Sequence, residues 1–450
     1  MRKHLFLGLL AFSLINCTSP RKKEAKMHWI TLDPGHFHAA LVQKSMYDEI
    51  SKKVHVYGQK GNDLKMHLKR IEGYNSRNNN PTQWESVVYE GEDFFEKMLQ
   101  EREGNIVMLS GNNKKKASYI LSAIENDFHV YADKPMAINA SNYEALLKAF
   151  SLAEKKGLLL YDIMTERSEI TTVLQKELSQ RNELFGELIV GTPEKPAIVK
   201  ESVHHYFKYV SGTPLVRPAW FFDTQQQGEG VVDVSVHLVD LTFWECFPQQ
   251  AIEKNDVSIV AAKRWPTLLS KKDFEAVTNL KTYPDYLIPH VQNDTLAVYA
   301  NGSISYTLKG HHAKVSVLWN YVAPEGTGDT HYSIMRGTKA NLAILQGPEQ
   351  NFIPTLYIEP NEELEEKLIH SAIDDLQKAY KNIGVEKENN RWKIIIPSEL
   401  REGHEAHFAD VTRRYIDFFK QGALPDWEVT NMKTKYYLTT NALTLAQEKE

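Results

Sequence analysis

Between Trp29 and about Leu160, short apolar runs alternate with longer amphipathic stretches, and this rhythm restricts the chain to few architectures. Residues 29–32, 54–57, 86–89, 106–109, 128–131 and 158–160 read as strands. Residues 92–101, 114–125 and 141–156 read as helices between them, the last opened by a capping box of Ser141 with Glu144. Strand and helix in alternation predict a parallel sheet covered on both faces. Ligands in such sheets bind beyond the carboxyl ends of the strands.

After about Asp162 the texture changes. A helical stretch over 166–182 leads to Gly186, and then strand-like runs dominate: 187–192, 256–262, 295–300, 303–308, 313–319 and 331–336. Asn301-Gly302 reads as a hairpin turn between two of them. The tail carries helical stretches over 361–383 and 403–419, with charge-rich 384–391 as an exposed loop. The predicted organisation is therefore residues 27–162 as a ligand-binding α/β domain and 163–450 as an α+β domain on a large, mostly antiparallel open sheet.

Residues 1–26 differ from both. Arg2-Lys3-His4 precedes an apolar run from Leu5 to Ile15, long enough for a signal-peptide core and too short to span a bilayer. Leu14-Ile15-Asn16-Cys17 is similar to the lipobox of bacterial lipoproteins, in which the cysteine receives lipid, and Thr18 to Lys26 would be the tether. The expectation is an exported protein, on the periplasmic or cell-surface side, attached to the membrane only through lipid on Cys17. With Cys17 so used, Cys246 has no partner and reads as a packed hydrophobe. A formal net charge of -5, from 53 basic and 58 acidic residues, gives no electrostatic reason to expect nucleic acid.

Two ionisable features stand out. Gly228-Glu229-Gly230-Val231-Val232-Asp233-Val234-Ser235-Val236-His237-Leu238-Val239-Asp240 spaces an acid, an imidazole and an acid by four and three, one face of a helix. The valines also alternate with Asp233, Ser235 and His237, which equally describes a half-buried strand. Ala132-Asp133-Lys134-Pro135 follows the apolar run at 128–131. A third feature, Asp33-Pro34-Gly35-His36-Phe37-His38, stands where a dinucleotide fold carries its glycine-rich turn, yet keeps only Gly35 of three glycines. Asp33 would put negative charge near phosphate. After the second strand, Tyr57-Gly58-Gln59-Lys60 lacks the ribose-binding acid, and Lys60 could instead meet a 2'-phosphate, so NAD and NADP both stay open. His36 with His38, His204-His205, His311-His312 and His404 with His407 invite a metal reading. None has a familiar zinc spacing, and no metal is expected.

These motifs, in this order, resemble the Gfo/Idh/MocA family of oxidoreductases. The family's Pro-Asn turn, helix, strand and Glu-Lys-Pro correspond to Gly111-Asn112-Asn113, residues 114–125 and Asp133-Lys134-Pro135, with Asp133 in place of Glu and Lys116 where His is common. Its glycine run with Asp, His and Asp corresponds to Gly228, Gly230, Asp233, His237 and Asp240. Gly337-Thr338-Lys339-Ala340-Asn341-Leu342 is similar to a turn of its second domain. The resemblance implies a Rossmann-type domain that holds NAD or NADP, with tight retention one option, through Gly35, His36, Phe37, His38, Gly58, Lys60, Asn112, Asn113, Asp133, Lys134 and Pro135. It implies Lys134, Asp233 and His237 as the catalytic residues, with Lys134 on the reacting oxygen, Asp233 orienting the substrate or the lysine and His237 as base. Arg167, His204, His205, Tyr206, Trp220, Asp223 and Asp240 are the substrate-facing candidates, suited to a sugar, glycoside or cyclitol.

The expected function is oxidation of a secondary alcohol on such a substrate. Outside the cytoplasm a free nicotinamide pool is scarce, which favours redox-neutral chemistry with a retained cofactor. A non-catalytic sugar-binding lipoprotein that kept the fold competes with it, motivated by Asp33, His38 and Gly58; a metal-dependent hydrolase is a third option. The open C-terminal sheet is a candidate face for a homo-oligomer.

Overall fold

The computed structural model describes residues 27–210, 213–361 and 364–448. Cys17 and the leader features lie outside the described residues. Six strands, β1 (Trp29–Leu32), β2 (Lys53–Gly58), β3 (Glu85–Glu90), β4 (Ile106–Leu109), β5 (His129–Asp133) and β6 (Leu160–Ile163), form a parallel sheet in the order β3-β2-β1-β4-β5-β6. The strand order reverses between β1 and β4, so the ligand crevice falls at Asp33 and Ser110, just past their carboxyl ends. Helices α1 (His38–Leu41), α2 (Asn62–Ser76), α3 (Phe94–Glu101), α4 (Lys116–Glu125) and α5 (Ala140–Lys156) make the connections. The cap of α5 is Asn139, whose side chain accepts from the Asn142 amide; the Ser141 box does not form, because the helix starts one residue earlier.

The predicted helix over 166–182 is split. A 3₁₀ turn, Thr165–Ser168, is followed by α6 (Ile170–Ser179), whose first turn is capped by the Glu169 carboxylate. The large sheet follows, built from β7 (Ile198–Phe207), a two-stranded ribbon β8 (Tyr209–Val210) and β9 (Thr213–Pro214) beside it, then β10 (Val257–Ser270), β11 (Val291–Gln292), β12 (Thr295–Leu308), β13 (His311–Val322), β14 (Thr330–Arg336), β15 (Ala340–Leu345), β16 (Thr355–Pro360), β17 (Gly384–Glu388) and β18 (Arg391–Ile395). The order is β10-β12-β13-β7-β14-β15-β16-β18-β17, with β11 on β12; only β13 and β7 run parallel. Helices α7 (Thr224–Gln227), α8 (Ser235–Cys246), α9 (Lys271–Thr278), α10 (Glu366–Gln377), α11 (His404–Gln421) and α12 (Asp426–Gln447) complete the chain. The fold is thus the expected Rossmann-type sheet joined to a large, mostly antiparallel one.

Several local expectations are corrected. Residues 187–192 make only isolated bridges, Leu188 with Gly337 and Gly191 with Pro196. The charge-rich stretch at 384–391 is a hairpin: in β18 buried Trp392 and Ile394 alternate with half-buried Arg391 and Lys393, and this period-2 strand pairs the more polar β17. Asn301-Gly302 lies inside β12, where the pairing with β10 slips by a bulge between Trp265 and Thr267. The Asn301 amide donates to the Trp265 carbonyl and Thr267 Oγ1, and its Oδ1 accepts from the Trp319 amide, so it ties β10 and β13 to β12. The turn proper is Lys309-Gly310, both at positive φ. Among the described residues no helix is long and apolar enough to cross a membrane.

Candidate active site

The stretch Gly228 to Asp240 is neither one helix nor a strand. It is a tight turn over 229–234 that runs into α8. Gly230 has no room for a side chain: a Cβ there would lie 1.9 Å from the Ala300 carbonyl oxygen. Gly302 on β12 is equally crowded, 2.4 Å from Val231 Cγ2. The two glycines let the turn lie directly on β12, and this contact aims Asp233 back at the first domain. Asp233 Oδ1 accepts from Lys134 Nζ at 2.7 Å, and its Oδ2 accepts from Gln227 Nε2 at 3.0 Å. Lys134 follows β5, and the Lys134–Pro135 peptide is cis.

Lys134, Asp233 and His237 face a common cavity of about 1160 Å³ at the junction of the domains. Burial, then Lys134 and His404, hold the His237 imidazole well below its usual pKa, and its Nδ1 has no hydrogen-bond partner. Other polar lining groups are Glu166, His204, Lys208, Asp329 and His404, while Trp319 and Phe221 supply flat apolar walls. Asp329 accepts from Lys208 at 2.6 Å and pairs with His204 Nδ1 and His205 Nδ1 at 3.2 and 3.1 Å; burial opposes its charge, but these bonds hold it ionised. The His204 ring stacks on Trp319 at 5.0 Å. Glu166 is pushed up to about 7 by burial and by Glu169.

The predicted residues separate into three groups. His36, Phe37, His38, Lys134, His204, Asp233 and His237 line the cavity. His205, Tyr206, Arg167 and Asp240 are buried beside or beneath it rather than in its wall. Arg167 clasps Asp240 through two bonds of 2.6 and 2.7 Å and reaches Glu428 at 2.7 Å, while Lys435 bridges Asp240 and Asp162. Trp220 and Asp223 belong to the segment at 215–227, which reaches the cavity through Arg217, Phe221 and Gln227 and not through these two, and Asp223 caps α7. Gly58 ends β2, and Lys60 is exposed beyond it. Glu166, Lys208, Trp319 and Asp329 were not singled out from the sequence. Asp329 follows a polar glycine-rich loop with no periodicity, whereas an aromatic among alternating strand residues could have marked Trp319.

The phosphate-binding turn is engaged by the protein itself. The amides of Gly35 and His36 donate to the Ser110 carbonyl, each at 3.2 Å. Trp220 Nε1 donates to Asp63 at 2.8 Å, and its ring lies 3.1 Å from where a Gly35 Cβ would be. Asn112 and Asn113 bond Gln226 and Gln227. The helix after the turn has a single turn of four residues. Free space between Gly35, Asp63, Arg70 and Phe221 amounts to about 20 Å³. As they stand, these residues do not accept a pyrophosphate.

A dinucleotide-type domain joined to an open-sheet domain, with lysine, aspartate and histidine meeting between them, defines a class of two-domain oxidoreductases. The chain belongs to the family described as "Putative oxidoreductase C terminal domain", whose model matches residues 174–447. It is 50% identical to a "putative oxidoreductase" from Parabacteroides merdae, over 94% of this chain and 98% of that one, with a TM-score of 0.92. An oxidoreductase structure from Thermotoga maritima, 13% identical over 94% of this chain and 99% of that one, has a TM-score of 0.59. Levoglucosan dehydrogenase in complex with NADH, 11% identical over 95% and 98%, has a TM-score of 0.61. The last two share the fold. No curated protein matches the chain.

Proposed function

We propose that the chain is a carbohydrate or cyclitol oxidoreductase that works on a secondary alcohol carbon in the 1160 Å³ cavity. The observation that carries this reading is the meeting of Lys134 and His237, which lie on different domains, in one cavity wall. A substrate hydroxyl beside Lys134 Nζ would have its developing alkoxide stabilised, with Asp233 fixing the ammonium. His237, kept neutral by burial, is free to take the proton. Trp319 and Phe221 offer flat faces to a sugar ring, and His204, Lys208 and Asp329 offer hydroxyl partners.

Levoglucosan dehydrogenase has been solved with NADH, with levoglucosan and with L-sorbose, which supports a sugar substrate and a nicotinamide carrier. For this chain, admitting the dinucleotide requires the segment at 215–227 to lift from Gly35, Asn112 and Asn113. The closed turn also favours a second reading, a carbohydrate-binding protein that keeps the fold without the nucleotide. Ultraviolet absorbance and mass spectrometry of the purified protein, with and without added NAD or NADP and a sugar panel, separate the two. Bound nicotinamide and its sugar-dependent reduction are expected. Sugar binding with no nucleotide uptake would establish the second reading.

Redox-neutral turnover, export and a lipid on Cys17 are further parts of the proposal. The mass of the mature N-terminus tests the lipid. Val260, Trp265 and Leu268, exposed on the large sheet, mark the face proposed for self-association, testable by light scattering.

A further inference from the structure

We propose that His36, His38 and Asp133 bind a divalent first-row transition-metal ion whose remaining coordination positions open into the cavity. One ligand atom from each lies within 4.8 Å of the other two. His36 Nδ1 and His38 Nδ1 stand 3.6 and 3.0 Å from the same oxygen, Asp133 Oδ2. Two ligands held at about 2.0–2.1 Å from zinc in tetrahedral geometry are roughly 3.3–3.4 Å apart. The two nitrogen–oxygen distances bracket that spacing, and the nitrogen–nitrogen distance, within 4.8 Å, is the one an ion would have to draw in.

A plain hydrogen-bonded cluster explains half of this arrangement. His38 bonds Asp133, and Ser110 Oγ donates to the same carboxylate oxygen at 2.9 Å. It does not explain His36, whose Nδ1 is beyond hydrogen-bond reach of Asp133 and receives only a 3.5 Å contact from the His38 amide. The two imidazoles meet edge to face with centroids 4.0 Å apart, and both Nδ1 atoms lie within 3.6 Å of one carboxylate oxygen. A shared cation satisfies that convergence.

The surroundings hold the ligands still. The turn carrying both histidines is pinned through the Gly35 and His36 amides to Ser110, and Lys116 Nζ bonds the Asp133 main-chain oxygen at 2.9 Å. Such outer partners are the usual means of orienting ligands. Lys116 and Lys134 oppose a cation nearby, but Lys134 is neutralised by Asp233. Two nitrogens and one oxygen suit zinc, manganese, cobalt or iron(II) rather than calcium or magnesium. Three protein ligands leave a position for substrate, as catalytic rather than closed structural sites do. His36 and His38 line the cavity, so that position faces the space where adjacent carbohydrate hydroxyls could chelate. Two of the three donors, His38 and Asp133, stand where the glycine-rich turn and Glu-Lys-Pro carry other residues.

The test is metal uptake by the full chain, independent of turnover and of nucleotide. Protein stripped with a chelator is titrated with Zn²⁺ and Mn²⁺ by calorimetry, its metal content is measured after dialysis, and Co²⁺ is used for its visible spectrum. One ion per chain is expected, with Co²⁺ bands of a nitrogen and oxygen site. His36→Asn and Asp133→Asn should each weaken binding by more than about 100-fold, since even outer-partner losses reach 10–100-fold. His204→Asn should leave it unchanged. If the ligand variants do not fold, Ser110→Ala keeps all three donors and should still cost about tenfold or more. No stoichiometric ion on the wild-type chain, or binding that survives His36→Asn and Asp133→Asn, overturns the proposal, as does equal loss in His204→Asn.

Discussion

Single side chains decide what the cavity can do. Lys134 and His237 line the cavity proposed for the alcohol carbon, so on that proposal Lys134→Met and His237→Ala should each lower turnover by two or more orders of magnitude while the melting curve stays near that of the wild type. Steady-state kinetics on an active sugar checks this, and near-normal turnover in either variant removes that residue from its role. Glu166 gives a pH signature. Its folded-state pKa is raised from 4.5 to about 7, so the native chain keeps a proton that the unfolded chain releases. Its contribution therefore favours the fold at low pH and is lost as pH rises from about 4.5 through 7. Glu166→Gln should make the change of melting temperature across that window less negative than in the wild type; identical slopes would refute the shift. That Lys134, Asp233 and His237 come together at one cavity was legible because lysine, aspartate and histidine stand in short motifs. His205, Tyr206 and Asp240 were not distinguishable from cavity residues, because sequence shows which groups are polar or aromatic but not which wall they stand behind. Glu166 lay inside a predicted helix and carried no signal of its own.

At the level of segments, the period-2 and amphipathic patterns gave most strands and helices of the first domain. What they missed depended on contacts from elsewhere. Asn301-Gly302 has the chemistry of a turn, but here the amide of Asn301 replaces missing ladder bonds and Gly302 admits Val231, demands set by strands far away in sequence. The segment at 215–227 gave no hint that it would lie across the phosphate-binding turn. Gly230 shows how a segment's fit controls the site. In Gly230→Ala the new Cβ meets the Ala300 carbonyl carbon and oxygen, backbone that has no rotamer to change. The turn must move off β12, at a cost of about 1–3 kcal/mol, and Asp233 moves with it. A lower melting temperature, with a fall in turnover larger than the loss of folded protein explains, is the expected result. Unchanged kinetics in a folded Gly230→Ala protein would mean that the turn does not place Asp233.

Across the molecule, the two sheets are joined less by the cavity than by the end of the chain. Phe408, Val411, Tyr415 and Ile416 of α11, with Met432 and Tyr436 of α12, complete the core of the first domain, and Leu438, Ala442, Leu443 and Ala446 of α12 enter the core of the second. Helix α12 was not foreseen, since its apolar residues serve two cores on different faces and show no single stripe. At the junction lies the network of Asp162, Arg167, Asp240, Glu428 and Lys435, drawn from β6, the 3₁₀ turn, α8 and α12 and almost wholly buried. Asp240 accepts from both cations, and burial opposes its charge while Arg167 and Lys435 hold its pKa far below the usual carboxylate range. Removing it in Asp240→Ala leaves Arg167 with Glu428 alone and Lys435 with Asp162 alone, a loss of about 3 kcal/mol, the low end for breaking a buried pair. Because the same contacts serve both cores, the loss should lower one shared unfolding transition. Calorimetry with fluorescence detection of the tryptophans would follow it, and a variant whose first domain melts as in the wild type while the second melts early would show that α12 does not couple them.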